Sequence, residues 1–233
     1  MKDEREDLKN LVHLLGHDVR NSVRALIEIP KWIKEDVDAS RVTLPAETHE
    51  HLHLLTTQAA RLDKMIEDLL AFAKYEKDDN RVPLPLRETI EEVVAGLNLP
   101  KGFSVRHDLQ CSHVAIGQND FQTVVSELLR NAVKHHHAEA GQIDIVAQTS
   151  DTTFEMTVAD DGPGFPDKHQ ENIFLPMKTL RPRDEVEGTG MGLSIARRII
   201  KAYGGTLIVC ASSNGSTFRI SIPLDESRAR LVG

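Results

Sequence analysis

The sequence predicts an α+β protein of two domains: a helical hairpin that pairs into a dimeric four-helix bundle, then an α/β sandwich. Three observations predict it. Apolar residues recur in alternating steps of three and four through two long N-terminal stretches, the seam of packed helices. A charged, proline-punctuated break over 75–85 then ends that period. Beyond it, strand-like alternation, amphipathic helices and glycine-rich loops follow one another, the pattern of a mixed sheet with helices on one face. The expected domains are 1–79 and 80–233.

The first helix is expected over 7–38, with Leu8, Val12, Leu15, Val19, Leu26, Ile29 and Ile33 on its seam and Ser22 filling one slot. These residues are expected to face a partner helix. Pro30 removes a backbone donor and predicts a kink. After a break at 38–45, Ser40 or Thr43 is the expected cap and Pro45 falls in the first turn of the second helix. That helix has the cleaner seam, Leu52, Leu55, Ala59, Leu62, Ile66, Leu69 and Ala73, broadened by Met65, Leu70 and Phe72. Two such helices alone leave apolar surface uncovered, so a homodimer is expected, with cover by the C-terminal half of the same chain as the competing reading. Trp32 is expected to pack at the bundle tip.

In the second domain a helix over 86–97 precedes strand-like runs at 103–109 and 113–116. A helix over 120–135 then carries Phe121, Val124, Val125, Leu128, Leu129 and Ala132 on one side. Strands at 143–148 and 153–158 read as a hairpin. After the glycine-rich stretch 160–192 come a helix over 193–203 closed by Gly204-Gly205, and strands at 206–211 and 216–222 around Ser213-Asn214-Gly215.

Composition bounds the function. The net charge is −8, which argues against nonspecific binding of nucleic acid or anionic membrane. No apolar run approaches the roughly 18–20 residues of a membrane span, and the charged N-terminus has no signal core. A soluble, cytoplasmic protein is expected. Cys111 and Cys210, far apart, suit a reducing compartment and are expected to be small core residues.

Five stretches carry chemistry. His17 lies off the first seam, with Asp18 beside it and Asn21 one turn on, so an exposed imidazole has a carboxylate and an amide within reach. Glu127, Asn131, Lys134 and His135 form one polar stripe opposite an apolar one. There an amide oxygen suits a hard cation and a lysine suits phosphate. Asp160-Asp161-Gly162-Pro163-Gly164 follows a strand, where a carboxylate can accept from an exocyclic amine and glycines permit close approach. Phe174-Leu175-Pro176-Met177-Lys178-Thr179 comes next. Last, Gly188-Thr189-Gly190-Met191-Gly192 opens a helix and offers backbone N–H groups to an anion. It fits neither the Walker A spacing nor the dinucleotide fingerprint. The clusters His49/His51/His53 and His135/His136/His137 read as surface histidines rather than a metal site.

In this order the stretches resemble the sensor histidine kinases of two-component signalling, whose ATP-binding domain is of the Bergerat (GHKL) type. His17 to Asn21 is similar to the family's H box, Glu127 to His135 to its N box and Asp160 to Gly164 to its G1 box. Phe174 to Met177 is similar to the F box and Gly188 to Gly192 to the G2 box.

The resemblance implies that His17 takes the γ-phosphoryl group of ATP, with Asp18 orienting the ring and accepting its proton. It implies Asn131 as a Mg²⁺ ligand with Glu127 nearby, Lys134 and His135 at the phosphates, and Asp160 at the adenine amine. Gly162, Gly164, Lys178, Thr189 and Met191 complete the implied ATP site, and Gly188, Gly190 and Gly192 let a lid over 165–189 close. The implied partners are a second copy of the chain, the receiver domain of a response regulator, and a sensor domain or protein outside this chain. Asn21 and Ser22 replace the Thr-Pro pair of many relatives, and Asn21 suits a phosphatase that aligns water on an aspartyl phosphate. The alternatives are a phosphotransfer scaffold that uses no nucleotide, and a GHKL ATPase or protein kinase that does not use His17.

Overall fold

The computed structural model describes residues 2–40, 42–77, 82–164, 170–180, 188–211 and 215–224, the side chains of 2–18 and 211 excepted. The chain divides into two compact units, Met1–Tyr75 and Glu76–Gly233.

The first unit is a hairpin of α1 (Lys2–Ser40) and α2 (Ala46–Lys74). The helical run of α1 continues through Pro30, which is buried, so the proline does not end the helix. The break between the helices differs from expectation. Ser40 belongs to α1 and donates its hydroxyl to the Asp36 carbonyl at 2.7 Å. Pro45 is itself the N-cap of α2, and its carbonyl accepts from Thr48 N at 3.0 Å and His49 N at 3.3 Å. No side-chain cap is formed.

The second seam splits into two rows. Ala59 and Ile66 are buried and Leu52 and Ala73 half-buried, whereas Leu55, Leu62 and Leu69 stay 41–43% exposed. Among the described side chains of α1 the buried positions are Val23 and Pro30, while Val19, Leu26, Ile29 and Ile33 are 40–44% exposed. Within the hairpin, α2 therefore leaves this α1 seam uncovered. The apolar face is wider than one helix can cover, and the hairpin takes only one flank of it. Trp32, expected to pack, is 57% exposed.

The second unit begins with β1 (Pro83–Pro85) and α3 (Leu86–Gly96). Then come β2 (Phe103–Leu109), β3 (His113–Ala115) and α4 (Gln118–Lys134). They are followed by β4 (Gly141–Thr149), β5 (Thr153–Asp160), α5 (Gly192–Ala202), β6 (Thr206–Ala211) and β7 (Ser216–Pro223). The main sheet has the order β2-β4-β5-β7-β6. Only β2 and β4 pair in parallel, joined by a crossover through α4, and the other pairs are antiparallel. A two-stranded sheet of β1 and β3 stands apart. A strand bounded by two prolines is tolerated there because its partner is a single short edge.

Register places the core. Ile145, Val158, Phe218 and Val209 lie side by side across four strands, and Ala147, Met156, Ile220 and Leu207 form the next row. Both rows are buried, as are Phe121, Val124, Val125, Leu128 and Leu129 of α4 and Ala196, Ile199 and Ile200 of α5. The opposite sheet face carries polar pairs such as Arg106–Asp144, whose Nε–Oδ1 distance is 2.8 Å. Cys111 is half-buried and Cys210 exposed, so neither is the core residue expected. Cys210 alternates outward between buried Val209 and the strand's end. No described helix is long and apolar enough to cross a membrane.

Candidate functional site

Helical periodicity builds the first part of the site. With its apolar side on the sheet, α4 presents Glu127, Asn131 and Lys134 on one half-buried stripe. His135 is the C-cap residue, its N–H bonded to the Asn131 carbonyl at 3.1 Å. Glu127 Oε1 accepts from Arg130 Nη1 at 3.1 Å.

The glycine-rich stretch meets this stripe. A Cβ at Gly192 would overlap the Glu127 carboxylate, and one at Gly188 would overlap the Lys134 ammonium. Gly188 also has φ +149° and Gly190 has φ +75°, and at Gly190 a Cβ would come within 2.8 Å of the Lys178 carbonyl oxygen. Thr189 is buried and its hydroxyl accepts from Met191 N at 3.3 Å. Ser194 Oγ donates to the Met191 carbonyl at 2.7 Å, fixing the start of α5 around buried Met191. Thus Glu127, Lys134, Gly188, Gly190, Gly192 and the backbone of Lys178 converge. The Lys178 side chain itself is exposed.

A single helical turn, Asn172–Phe174, anchors the stretch before Lys178. Phe174 is buried with its ring edge-on to Phe218 at 6.4 Å, and the Arg197 guanidinium lies 4.6 Å from the Phe174 centroid. Arg197 also bonds Glu171 at 2.7 Å.

The sheet builds the second part. Asp160 ends β5, in register with Ile143 on one side and Ser216 on the other. Its Oδ1 accepts from Gly162 N at 3.0 Å and Ser216 N at 3.3 Å. Burial pushes the Asp160 carboxyl above the usual range, opposed by those two N–H groups and by His136. Gly215, with φ +103°, lies so close that a Cβ would overlap the Asp160 carbonyl. Gly162 is buried and Gly164 has φ +63°.

Asp161 points the other way. Its Oδ1 accepts from Gln142 N at 2.8 Å and lies 3.1 Å from His136 Nε2. The Gln142 N–H bond, and then His136, hold the Asp161 carboxyl below the usual range. The sequence pattern did not mark His136, Asp161 or Ser216 as site residues. His136 was expected at the surface, yet its side chain is 4% exposed. Only the long-range contact with Phe103 (ring centroids 5.2 Å apart) and Asp161 buries it.

In the first unit Asn21 is exposed on α1. His17 and Asp18 lie within α1, but their side chains are outside the described residues, as are residues 165–169 and 181–187 of the expected lid. Among the described residues no group of three or more His, Cys, Asp or Glu could hold a metal ion.

Residues 117–226 match the model of the family described as histidine kinase-, DNA gyrase B-, and HSP90-like ATPase. The chain is 29% identical over 235 residues to the adaptive-response sensory kinase SasA of Synechococcus sp. (strain JA-2-3B'a(2-13)), covering 95% of this chain and 61% of that protein. It resembles the crystal structure of full-length ShkA in complex with AMPPNP with a TM-score of 0.69 at 21% identity, over 92% of this chain and 45% of that one. It also resembles histidine kinase ThkA in complex with the response regulator protein TrrA, with a TM-score of 0.63 at 22% identity, over 97% of this chain and 66% of that one. The chain spans between 25% and 64% of the length of the curated relatives it matches.

Proposed function

We propose that this chain is a sensor histidine kinase with an ATPase domain of the GHKL type, in line with the family model it matches and the sensory kinases it resembles, and that it phosphorylates its own His17 from Mg-ATP and passes the group to an aspartate of a response regulator. The observation that carries the reading is the convergence of Glu127 and Lys134 with Gly192 and Gly188, together with a half-buried Asp160 carboxylate at the end of β5.

Each part has a role. Asp160 accepts the adenine amine, and Gly162 and Gly164 let the base approach the backbone. Lys134 and His135 face the phosphates, and the N–H groups of 188–192 at the start of α5 add further donors, with Thr189, Met191 and Lys178 lining the approach. The site suits a hard cation, because the half-buried Asn131 offers a neutral oxygen between Glu127 and Lys134. Mg²⁺ held there would neutralise charge on the triphosphate.

In the transfer, an imidazole nitrogen of His17 forms a bond to the γ-phosphorus as the bond to the β,γ-bridging oxygen breaks. ADP leaves with that electron pair, and Asp18 accepts the ring proton. The protein contributes positioning and charge neutralisation.

The unit of function is a homodimer. Among the described residues, Val19, Leu26, Ile29 and Ile33 with Leu55, Leu62 and Leu69 are uncovered heptad positions that a second hairpin would cover to complete four helices. The exposed Asn21 serves an opposing phosphatase activity, aligning water for attack on the regulator's aspartyl phosphate so that the carboxylate leaves and inorganic phosphate is released. A sensor domain or sensor protein outside these residues supplies the input, in the cytoplasm.

The test is incubation with γ-labelled ATP and Mg²⁺. Acid-labile, alkali-stable label is expected on the wild type and none on His17→Ala. Label retained on His17→Ala would overturn the assignment, and stable binding of no ATP analogue would favour a phosphotransfer scaffold.

A further inference from the structure

The His136 imidazole is 4% exposed, and none of the steps above uses it. It lies just beyond the C-cap of α4, edge-on to Phe103 of β2 and stacked on His137 with ring centroids 4.8 Å apart. A Cβ at Gly162 would come within 3.2 Å of its Cδ2, so the ring lies directly against the Asp160–Gly164 turn. At Gly141 a Cβ would meet Phe103, His136 and Asp161 together, within 2.8–3.0 Å of each. Glycine at 141 is what lets the three close up.

The hydrogen bonds suit both charge states of the ring. Nδ1 lies 3.1 Å from the backbone N and 3.1 Å from the carbonyl oxygen of Ala138. A neutral ring can accept at Nδ1 from Ala138 N–H while Nε2–H donates to Asp161 Oδ1, 3.1 Å away. A protonated ring can instead donate Nδ1–H to the Ala138 carbonyl and keep the bond to Asp161. Gaining a proton therefore breaks no contact with Asp161 and turns a neutral hydrogen bond into a charge-assisted one.

We propose that His136 is a positioning residue of the adenine end, holding Asp161 and hence the Asp160 turn with a grip that tightens when its ring is protonated. This rests on the nucleotide-binding reading given above. Among the described residues, the titratable groups facing the ring are Asp161 and Asp160 from the end of β5 and His137 from its own loop, and Phe103, Gly141 and Gln142 add no charge. A positive ring also favours the ionised form of half-buried Asp160, the form that accepts the adenine amine. The charge on the ring thereby feeds into nucleotide affinity from a residue outside the phosphate site.

The test is binding of a fluorescent ATP analogue with Mg²⁺ from pH 6 to 8.5, on the whole chain. Wild type, His136→Gln, His136→Ala and Asp161→Asn are compared, with thermal melts to check folding. The Gln amide can replace the Nε2 donor but cannot be charged. His136→Gln is expected to bind within about twofold of wild type at pH 8.5 and about three- to tenfold more weakly at pH 6, the difference between a neutral and a charge-assisted hydrogen bond. Taking the ratio to wild type cancels the titration of the nucleotide itself. His136→Ala is expected to be weaker at every pH, and Asp161→Asn to flatten the ratio for His136→Gln.

A ratio for His136→Gln that stays constant with pH while the wild type binds would overturn the proposal and leave nucleotide binding intact. No binding by the wild type at any pH would instead overturn the proposed function.

Discussion

The Tyr203 hydroxyl, at the end of α5, donates to Asp120 Oδ2 at 2.7 Å and accepts from Gly117 N at 3.0 Å. One buried phenol thus ties the close of α5 to the opening of α4. Those two helices carry the two sides of the site, Gly192 on one and Glu127, Asn131 and Lys134 on the other. Tyr203→Phe removes one hydrogen bond from a buried carboxylate and one from a buried N–H, and the expected loss is about 1–3 kcal/mol. Urea unfolding should show it as a lower midpoint at unchanged slope, and a loss below about 0.5 kcal/mol would mean that the clamp is incidental.

Two glycines near the site should separate function from folding. At Gly192 an added methyl meets the flexible end of Glu127, whereas at Gly215 it meets the Asp160 backbone at a positive φ. Gly192→Ala should therefore melt close to wild type yet bind an ATP analogue about tenfold more weakly, as Glu127 is pushed aside. Gly215→Ala should lose about 1–3 kcal/mol of stability. Equal melting temperatures for the two variants would contradict this reading.

Asp160 should trade stability for recognition. Its carboxyl is held above the usual range by burial, so the folded protein binds this proton more tightly than the unfolded chain does. Stability from this group is then greatest below the ordinary carboxylate range and is lost as pH rises through the folded value. At neutral pH the ionised group is a cost, and an isosteric amide removes it while still accepting from Gly162 and Ser216. Asp160→Asn should melt higher than wild type at pH 7 and less so at pH 4, while losing ATP-analogue affinity. Lower stability at pH 7 would sink the argument.

On the hairpin, Leu62→Glu places a charge in the uncovered row of Leu55, Leu62 and Leu69. Sedimentation should shift from dimer to monomer, while Lys64→Glu, at an exposed charged site, should not change the state. A variant of Leu62 that remains dimeric would place the interface elsewhere.

Much of this architecture was legible because periodicity is local. The β6 strand and both core sides of α4 and α5 follow from alternation or from the helical period alone. The glycine positions of the site were legible for a similar reason, since few residues fit a positive φ or a backbone approach. The misreadings have one cause, which is that contact partners far apart in sequence leave no local trace. His136 looks like any histidine in a row of three until Phe103 and Asp161 close over it. Val23 and Pro30, rather than the neater row of Val19, Leu26 and Ile33, carry the inside of the hairpin. A heptad count finds an apolar stripe without saying which neighbour covers it.

The register of Asp160 between Ile143 and Ser216 has a practical consequence for inhibitor design. Contacts at that carboxylate come from a ladder shared by three strands, while contacts at the triphosphate end depend on a glycine-rich loop. A compound confined to the strand end meets a carboxylate that the target can replace only by losing affinity for the nucleotide itself. One that reaches toward the loop leaves the target cheap routes to resistance.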